Sequence, residues 1–479
     1  MKNDMLGNFI WRYAERFSAQ IITLIVSIVL ARLIAPEAYG TIALIQVVIA
    51  IMQVFVDSGM GNALVQKLDA DEYDFSTVFI FNIFLCIIVY LIVFLLSPVI
   101  ARFYDDLTMT PVIRVLGITI LISGVKNIQQ AYVSRQMLFK KFFFATLFGT
   151  LLSAVVGIVM AYAGYGIWAI VGQYLTNTIV DTIVLWFTVK WRPKLYFSFE
   201  KFKRLYGFGW KMLLSALLDT GYNNLRSLVI GKMYTKADLA YYDRGKQIPN
   251  IIVSNVNSSI GSVLFPALAK EQNFKGAVKA HVRKGIRVSS YVMWPMLMGI
   301  AACAEPIIRI LLTDTWLPAV PFVQIACLTY GFWPIYTTNL QAITAMGRSD
   351  IFLKLEIIKK VLGIIILLVS MRYGVLAIAL FGILSSIISI FVNSWPNKKL
   401  LDYSTKELFS DFMPSFLLAL FMGLVVYQLT KLNLSPVLLL LIQIPTGIAI
   451  YWIGSILLKF EMYDFVKAYA YKVIDKIRC

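Results

Sequence analysis

About fourteen apolar runs, each near or above the ~20 residues a helix needs to cross a bilayer, take up almost all of the chain's 479 residues. Nothing of domain size is left between them. In a bilayer every backbone N–H and C=O must be satisfied internally, so a chain of such runs is restricted to a bundle of helices. The mean hydropathy of +0.76 agrees. The runs fall near 9–34, 40–65, 75–97, 111–134, 143–163, 167–189, 205–231, 238–268, 285–304, 319–345, 350–371, 375–395, 410–430 and 435–458. The fold class expected is an all-α integral membrane protein. The first run carries charges and no small-residue cleavage site follows it, so it reads as a signal anchor.

The net charge is +18. Its distribution explains it better than nucleic acid would. With the N-terminus in the cytoplasm, alternate loops on that side hold twenty-seven Lys and Arg, and the opposite side holds seven. This bias predicts two cytoplasmic termini. The outer loops are short. Residues 459–479 alternate charge with Phe460, Tyr463, Phe465, Val466, Tyr469 and Val473, which predicts an amphipathic cytoplasmic helix at the interface. One histidine, His281, and four cysteines without a paired spacing leave no metal site, disulfide framework or histidine-dependent triad to expect. No GxxxxGK[ST] loop occurs, so no bound nucleotide or other cofactor is expected.

The chain repeats itself. Tyr165-Gly166-Ile167-Trp168-Ala169-Ile170 returns as Tyr373-Gly374-Val375-Leu376-Ala377-Ile378. Asn127-Ile128-Gln129 followed by Arg135 returns as Asn339-Leu340-Gln341 followed by Arg348. Leu30-Ala31-Arg32-Leu33 before Tyr39 returns as Ile230-Gly231-Lys232-Met233 before Tyr241. Trp191-Arg192-Pro193-Lys194 is echoed by Trp395-Pro396-Asn397-Lys398. The offsets run from 200 to 212 residues. Six runs, an even number, separate the copies, so both face the same way. This predicts two parallel six-helix repeats, 1–200 and 201–404, an extra helix pair in 405–458 and the tail 459–479.

Polar residues in the apolar runs follow helical spacing. Arg12, Glu15, Arg16, Gln20, Thr23 and Ser27 share one face of the first run, and Gln46, Gln53 and Asp57 one face of the second. In the second repeat Lys211, Ser215, Asp219, Tyr222 and Arg226 share a face of the seventh run, flanked by Asn223 and Asn224. Asn250, Ser254, Asn257, Ser258 and Gly261 mark the eighth. A charge at mid-membrane costs roughly 2.5–3.5 kcal/mol on insertion scales, so these faces point at protein or water. Matched stripes in both repeats predict a polar cleft. The plainer reading is internal pairing, such as Glu15 with Arg12 or Arg16 and Asp219 with Lys211. Lys126 and Asp181 are expected to pair as structural glue, Glu356, Lys359 and Lys360 to be structural, and Asp105-Asp106 to be a solvated loop.

Basic groups among amides and aromatic rings suit an anionic, hydroxyl-rich ligand. The candidate substrate-binding residues are Arg12, Glu15, Arg16, Lys211, Arg226, Asn223 and Asn257. Asp57 and Asp219, one acid per repeat, are candidates for ion or proton coupling.

Leu30-Ala31-Arg32-Leu33-x-Ala35-Pro36-Glu37-x-Tyr39-Gly40 and Phe55-x-Asp57-Ser58-Gly59-x-Gly61-x-Ala63-Leu64-Val65-Gln66 resemble the Wzx-type polysaccharide flippases, in particular the WzxC-like branch of the polysaccharide transporters. Tyr165-Gly166-x-Trp168-Ala169 and Phe208-Gly209-Trp210 fit that branch too. The resemblance implies a two-lobed, alternating-access transporter rather than an enzyme. It implies an undecaprenyl-diphosphate-linked oligosaccharide carried across a bacterial inner membrane for lipopolysaccharide, capsule or exopolysaccharide synthesis. It also implies membrane lipid as a partner, with a polysaccharide polymerase and glycosyltransferases of the same pathway, and no nucleic acid. A drug/cation antiporter of the same fold, or a membrane polymerase or glycosyltransferase, are the competing readings. The first would want carboxylates in the cleft, the second a large loop or paired carboxylates at one interface.

Overall fold

The computed structural model describes residues 2–57, 59–67, 69–432 and 434–464, and within these not the side chains of residues 2–10, 12–14, 16, 62, 66, 208 and 263. Each of the fourteen expected spans is met by a helix or a broken pair of helices. The first compact unit, residues 1–240, holds α1 (Lys2–Leu33), α2 (Pro36–Asp57), α3 (Met60–Gln66), α4 (Glu72–Phe103), α5 (Met109–Arg135), α6 (Phe139–Tyr162), α7 (Ile167–Thr188) and α8 (Phe199–Met233). Helix α9 (Lys236–Lys270) starts there and runs on into the second unit, residues 241–479. That unit continues with α10 (Lys275–Ala302), α11 (Ala304–Leu311), α12 (Val320–Gly331), α13 (Trp333–Ala345), α14 (Ser349–Ser370), α15 (Val375–Leu401), α16 (Thr405–Gln428) and α17 (Pro436–Leu457). In packing, α8 belongs with the first unit, although the repeat places it at the head of the second copy.

Among the described residues nine helices are long and apolar enough to cross a membrane, or ten if the bent pair α10 and α11 is one span. Of the other four expected spans, α7, α8 and α14 miss that standard because polar residues interrupt them, among them Asp181 in α7, Lys211 and Arg226 in α8, and Lys359 in α14, while the described apolar stretch of α1, Phe17–Leu33, is short of the length.

Local signals start the helices. Asp71 and Asp74 form a capping box at α4, and Ser404 and Glu407 another at α16. Ser435 accepts from Leu438 N–H ahead of Pro436 at α17. The repeated Tyr-Gly pair has a backbone reason: Gly166 and Gly374 adopt φ of 53° and 99° directly before α7 and α15, a region that disfavours side chains. Arg192 donates to the Trp186, Val189 and Trp191 carbonyls, and Lys141 to that of Thr188. Together they satisfy the C-terminal end of α7.

The second run is not one helix. It breaks after Asp57, with Gly59 at φ 67° in the turn before α3. A Cβ on Gly59 would lie 2.6 Å from the Gly209 carbonyl oxygen, so α8 can pass this break only over a glycine. Asn127 Nδ2 donates to Val56 O at 2.7 Å, before the break, and Arg135 donates to the Leu64 and Lys67 carbonyls at the C-terminal end of α3, so α5 takes up carbonyls of both helices. Elsewhere in the unit Gly149 and Gly157 let α6 lie against Asp181 and Gln173 of α7. Met60, Leu64, Phe75, Val78, Ile128, Leu185 and Trp191 form a buried core. The strand-free segment between α7 and α8 is strapped along α4: Lys194 N–H donates to Ser76 Oγ, and Lys201 pairs with Asp71 at 2.6 Å. Burial would raise the Asp71 carboxyl, but the bonds from Lys201 and the Asp74 N–H outweigh it and hold it at about 2.

The second unit is built around Trp294, Phe332, Ile335, Phe412 and Tyr403. Helix α10 begins ten residues before the expected boundary, so Arg283 is helical like Arg287. Both bind the buried carboxylate of Asp411 in α16, at 2.8 and 2.7 Å, and Tyr403 OH donates to the same group at 2.8 Å. The described part of the tail ends at residue 464, so the amphipathic helix expected over 459–479 lies mostly outside the described residues.

Candidate functional site

Helix α8 carries the site in the first unit. At 1.5 Å per residue its 35 residues extend about 52 Å, well beyond a ~30 Å hydrocarbon core. Lys211, Ser215, Asp219, Tyr222 and Arg226 recur every three or four residues and fall within about a third of the helix circumference. Lys211, Ser215 and Asp219 are exposed, Arg226 is half-buried, and a cavity of about 450 Å³ lies along Lys211, Ser215 and Asp219.

Among the described residues neither Lys211 nor Arg226 has a hydrogen-bond or ion-pair partner. Three other cations set within helices behave differently. Lys126 of α5 lies 2.7 Å from Asp181 of α7, as expected of structural glue. Lys246 of α9 lies 3.0 Å from Asp243, with the Tyr242 ring 4.0 Å away. Lys359 bonds Glu356 within α14, in keeping with a structural role. The expected Lys211–Asp219 pair does not form: eight residues, about 12 Å of helix, separate them. Asp219 instead accepts from Asn223 Nδ2 at 3.0 Å, which brings two of the candidates together.

The remaining candidates are distributed as follows. Arg12 and Arg16 lie outside the described side chains, and with them the pairing proposed for Glu15. Glu15 is half-buried and accepts from Thr146 Oγ1 of α6 at 3.3 Å, so it turns toward its own unit. Asp57 sits at the last residue of α2, bonded only weakly to Gln53 at 3.4 Å. An acid at a helix C-terminus opposes the helix dipole, which makes its position costly unless a cation or proton compensates it. Asn257, in the second unit, is half-buried, and its amide nitrogen is enclosed without a hydrogen-bond partner among the described residues. Its stripe continues upward through Asn250, Lys246 and Asp243 because α9 is continuous from Lys236. The sequence reading began that stripe at Asn250 and missed the two charges, although they hold the same spacing.

Of the Asp105-Asp106 pair only Asp105 is solvated. Asp106 is only 8% exposed, pairs with Lys236 Nζ at 2.6 Å and accepts from Thr41 Oγ1 at 3.2 Å. Burial would raise its carboxyl, but the bonds from Lys236 and Thr108 lower it below its ordinary value. Asp105 pairs with Lys232 at 3.0 Å. Gly40 completes the contact, since a Cβ there would stand 1.9 Å from the Lys236 carbonyl oxygen. The α4–α5 loop is thereby tied to the α8–α9 turn.

A larger cavity of about 620 Å³ lies in the second unit among α10, α16 and α17, along Tyr291, Met296, Gln443, Tyr451 and Trp452. Its walls are almost wholly apolar and offer a phosphate no charge.

A family model described as "Polysaccharide biosynthesis protein" matches residues 29–321, more than half of the chain. The chain belongs to the polysaccharide biosynthesis protein family. Similar proteins include the "Teichuronic acid biosynthesis protein TuaB" of Bacillus subtilis, 24% identical over 78% of this chain and 78% of that one. The "Lipopolysaccharide biosynthesis protein WzxC" of Escherichia coli is 24% identical over 76% and 75%. Among solved structures, the lipid II flippase MurJ in an inward closed conformation superimposes with a TM-score of 0.77 at 18% identity, over 94% of this chain and 99% of that one. An inward-facing multidrug transporter of the MATE family gives 0.63 at 14%, over 81% and 96%. At these identities the structures establish a shared all-α membrane-transporter fold. For a polysaccharide biosynthesis family member, the polar and cationic face of α8 is the feature that the fold alone does not require.

Proposed function

We propose that the chain is a flippase that moves a polyprenyl-diphosphate-linked oligosaccharide across a bacterial inner membrane by alternating access. One observation carries the reading. Among the described residues Lys211 and Arg226 have no partner, on a helix long enough to cross a membrane, while Lys126, Lys246 and Lys359 each hold a carboxylate. An uncompensated cation there is costly, and a diphosphate that comes and goes is the partner that removes the cost. Arg12, Arg16 and Glu15 of α1 and the amide of Asn223 would complete the contacts to phosphate and sugar. The polyprenyl tail stays in lipid. Asp57 and Asp219 are the acids available for coupling to an ion or proton.

The names of the relatives support a saccharide: teichuronic acid, lipopolysaccharide, and succinoglycan in the "Succinoglycan biosynthesis transport protein ExoT" of Rhizobium meliloti. The MATE structures share the fold, but an organic cation would want carboxylates where α8 presents Lys211 and Arg226. Polymerase and glycosyltransferase partners, and cytoplasmic termini, complete the proposal, the latter resting on the Lys/Arg bias.

The test is export of surface polysaccharide in cells. Arg12→Ala with Lys211→Ala should nearly abolish it with the protein inserted at normal abundance, while each single variant loses only part. Export by the double variant at the parent rate would refute the anionic-substrate reading.

A further inference from the structure

Lys211 and Arg226 are too far apart to act on one phosphate group. Fifteen residues of uninterrupted helix place their Cα atoms about 22 Å apart, several times the length of a diphosphate and beyond a physiological Debye length of about 8 Å. They lie at different depths. Lys201, Lys203 and Arg204 mark the start of α8 as its cytoplasmic end. Arg226 is then about 10 Å below the outer end at Met233, and Lys211 about 33 Å below it, near the inner edge of a ~30 Å core. Between them on the same face stands Asp219, about 12 Å from one and 10 Å from the other.

We propose that Lys211 and Arg226 are two successive stations for the lipid-linked diphosphate, and that Asp219 is the divider between them. Lys211 captures the anion at the cytoplasmic edge. Arg226 receives it in the outer half. The carboxylate repels a diphosphate that lingers between the stations, so the substrate occupies one or the other and does not settle midway. Asn223, which donates to Asp219, holds that carboxylate on the common face. A sequential arrangement also answers a requirement of transport: one cluster strong enough to hold a diphosphate against both aqueous sides would release it slowly to either. The inference rests on the flippase reading above and adds the order of events.

The experiment uses the full-length protein in proteoliposomes with a fluorescent short-chain polyprenyl-diphosphate disaccharide, read by quenching from one side. Lys211→Ala should raise the half-saturating probe concentration at least tenfold and leave the maximal rate within about twofold. Arg226→Ala should do the reverse, with the maximal rate down at least tenfold. Asp219→Asn should bind the probe more tightly in detergent and turn over more slowly. Lys211→Arg and Arg226→Lys keep the charge and should restore most of the loss, which separates these effects from misfolding. If Lys211→Ala and Arg226→Ala change the same parameter in the same proportion, the two-station order is overturned and the flippase reading stands. If Asp219→Asn speeds turnover, the divider is overturned. If neither cation variant alters binding or rate, both the stations and the cationic-face reading fall.

Discussion

The pair Lys126–Asp181 gives the sharpest energetic prediction within the first unit. Nζ and Oδ2 are 2.7 Å apart and the side chains keep only 16% and 13% of their accessible surface. Coulomb attraction at that distance in an effective dielectric of 20 is about 6 kcal/mol, and desolvation of both ions cancels much of it. The net value of the pair is therefore small, but removal of one partner strands the other. Asp181→Leu and Lys126→Met should each destabilise by about 3 kcal/mol, the lower end for a buried pair because some solvent access remains. The double variant Lys126→Met/Asp181→Leu should cost only about 1 kcal/mol, leaving a coupling energy of about 5 kcal/mol. The assay is an equilibrium unfolding measurement in bicelles, closed as a double-mutant cycle. A double variant that loses the sum of the single effects would show that the two residues do not compensate each other, and the account of this pair would fail.

Three further outcomes follow from other contacts. Gly40→Ala should destabilise by about 1–3 kcal/mol, because the added carbon meets the Lys236 carbonyl and backbone cannot rotate aside; Gly299→Ala, which meets nothing within 4 Å, should be neutral or mildly stabilising in the same thermal measurement. The tie at Asp106 should titrate. Its carboxyl is lowered in the folded protein from an ordinary 3.8, so its contribution is complete above about pH 4 and fades as the pH falls below it; the stability difference between parent and Asp106→Asn, about 1–2 kcal/mol at neutral pH, should vanish in acid. On topology, a cysteine at Ala280 should resist an impermeant reagent added outside intact cells, and outside labelling would invert the assignment.

What the sequence made legible follows from what is local. Helix number comes from run length, and the Lys126–Asp181 pair from two opposite charges that apolar helices cannot leave alone. The Tyr-Gly repeat is readable because Gly166 and Gly374 answer a backbone demand within one turn. The break after Asp57 left a signal too, a Gly59 within the run, but the apolar residues on either side carried the helix reading across it. Asp106 could not be read. Its partner Lys236 lies 130 positions away, and a pair of acids in a loop gives no sign of which turn will meet it. Arg283 and Arg287 were counted among loop charges for the same reason: only the packing of α10 on α16 brings Asp411 between them. On α8 the stripe was legible from spacing. The absence of partners for Lys211 and Arg226 among the described residues was not, since it depends on every other element.

Reconstituted transport tests the central claim most directly: movement of a polyprenyl-diphosphate oligosaccharide across proteoliposomes that contain only this protein. The account predicts that the parent protein moves the diphosphate-linked lipid and does not move a lipid-linked sugar of the same length without phosphate. It also predicts that Lys211→Ala/Arg226→Ala, folded and reconstituted at equal density, loses at least a hundredfold in rate. Equal rates for the charged and uncharged lipids, or for the parent and the double variant, would contradict it.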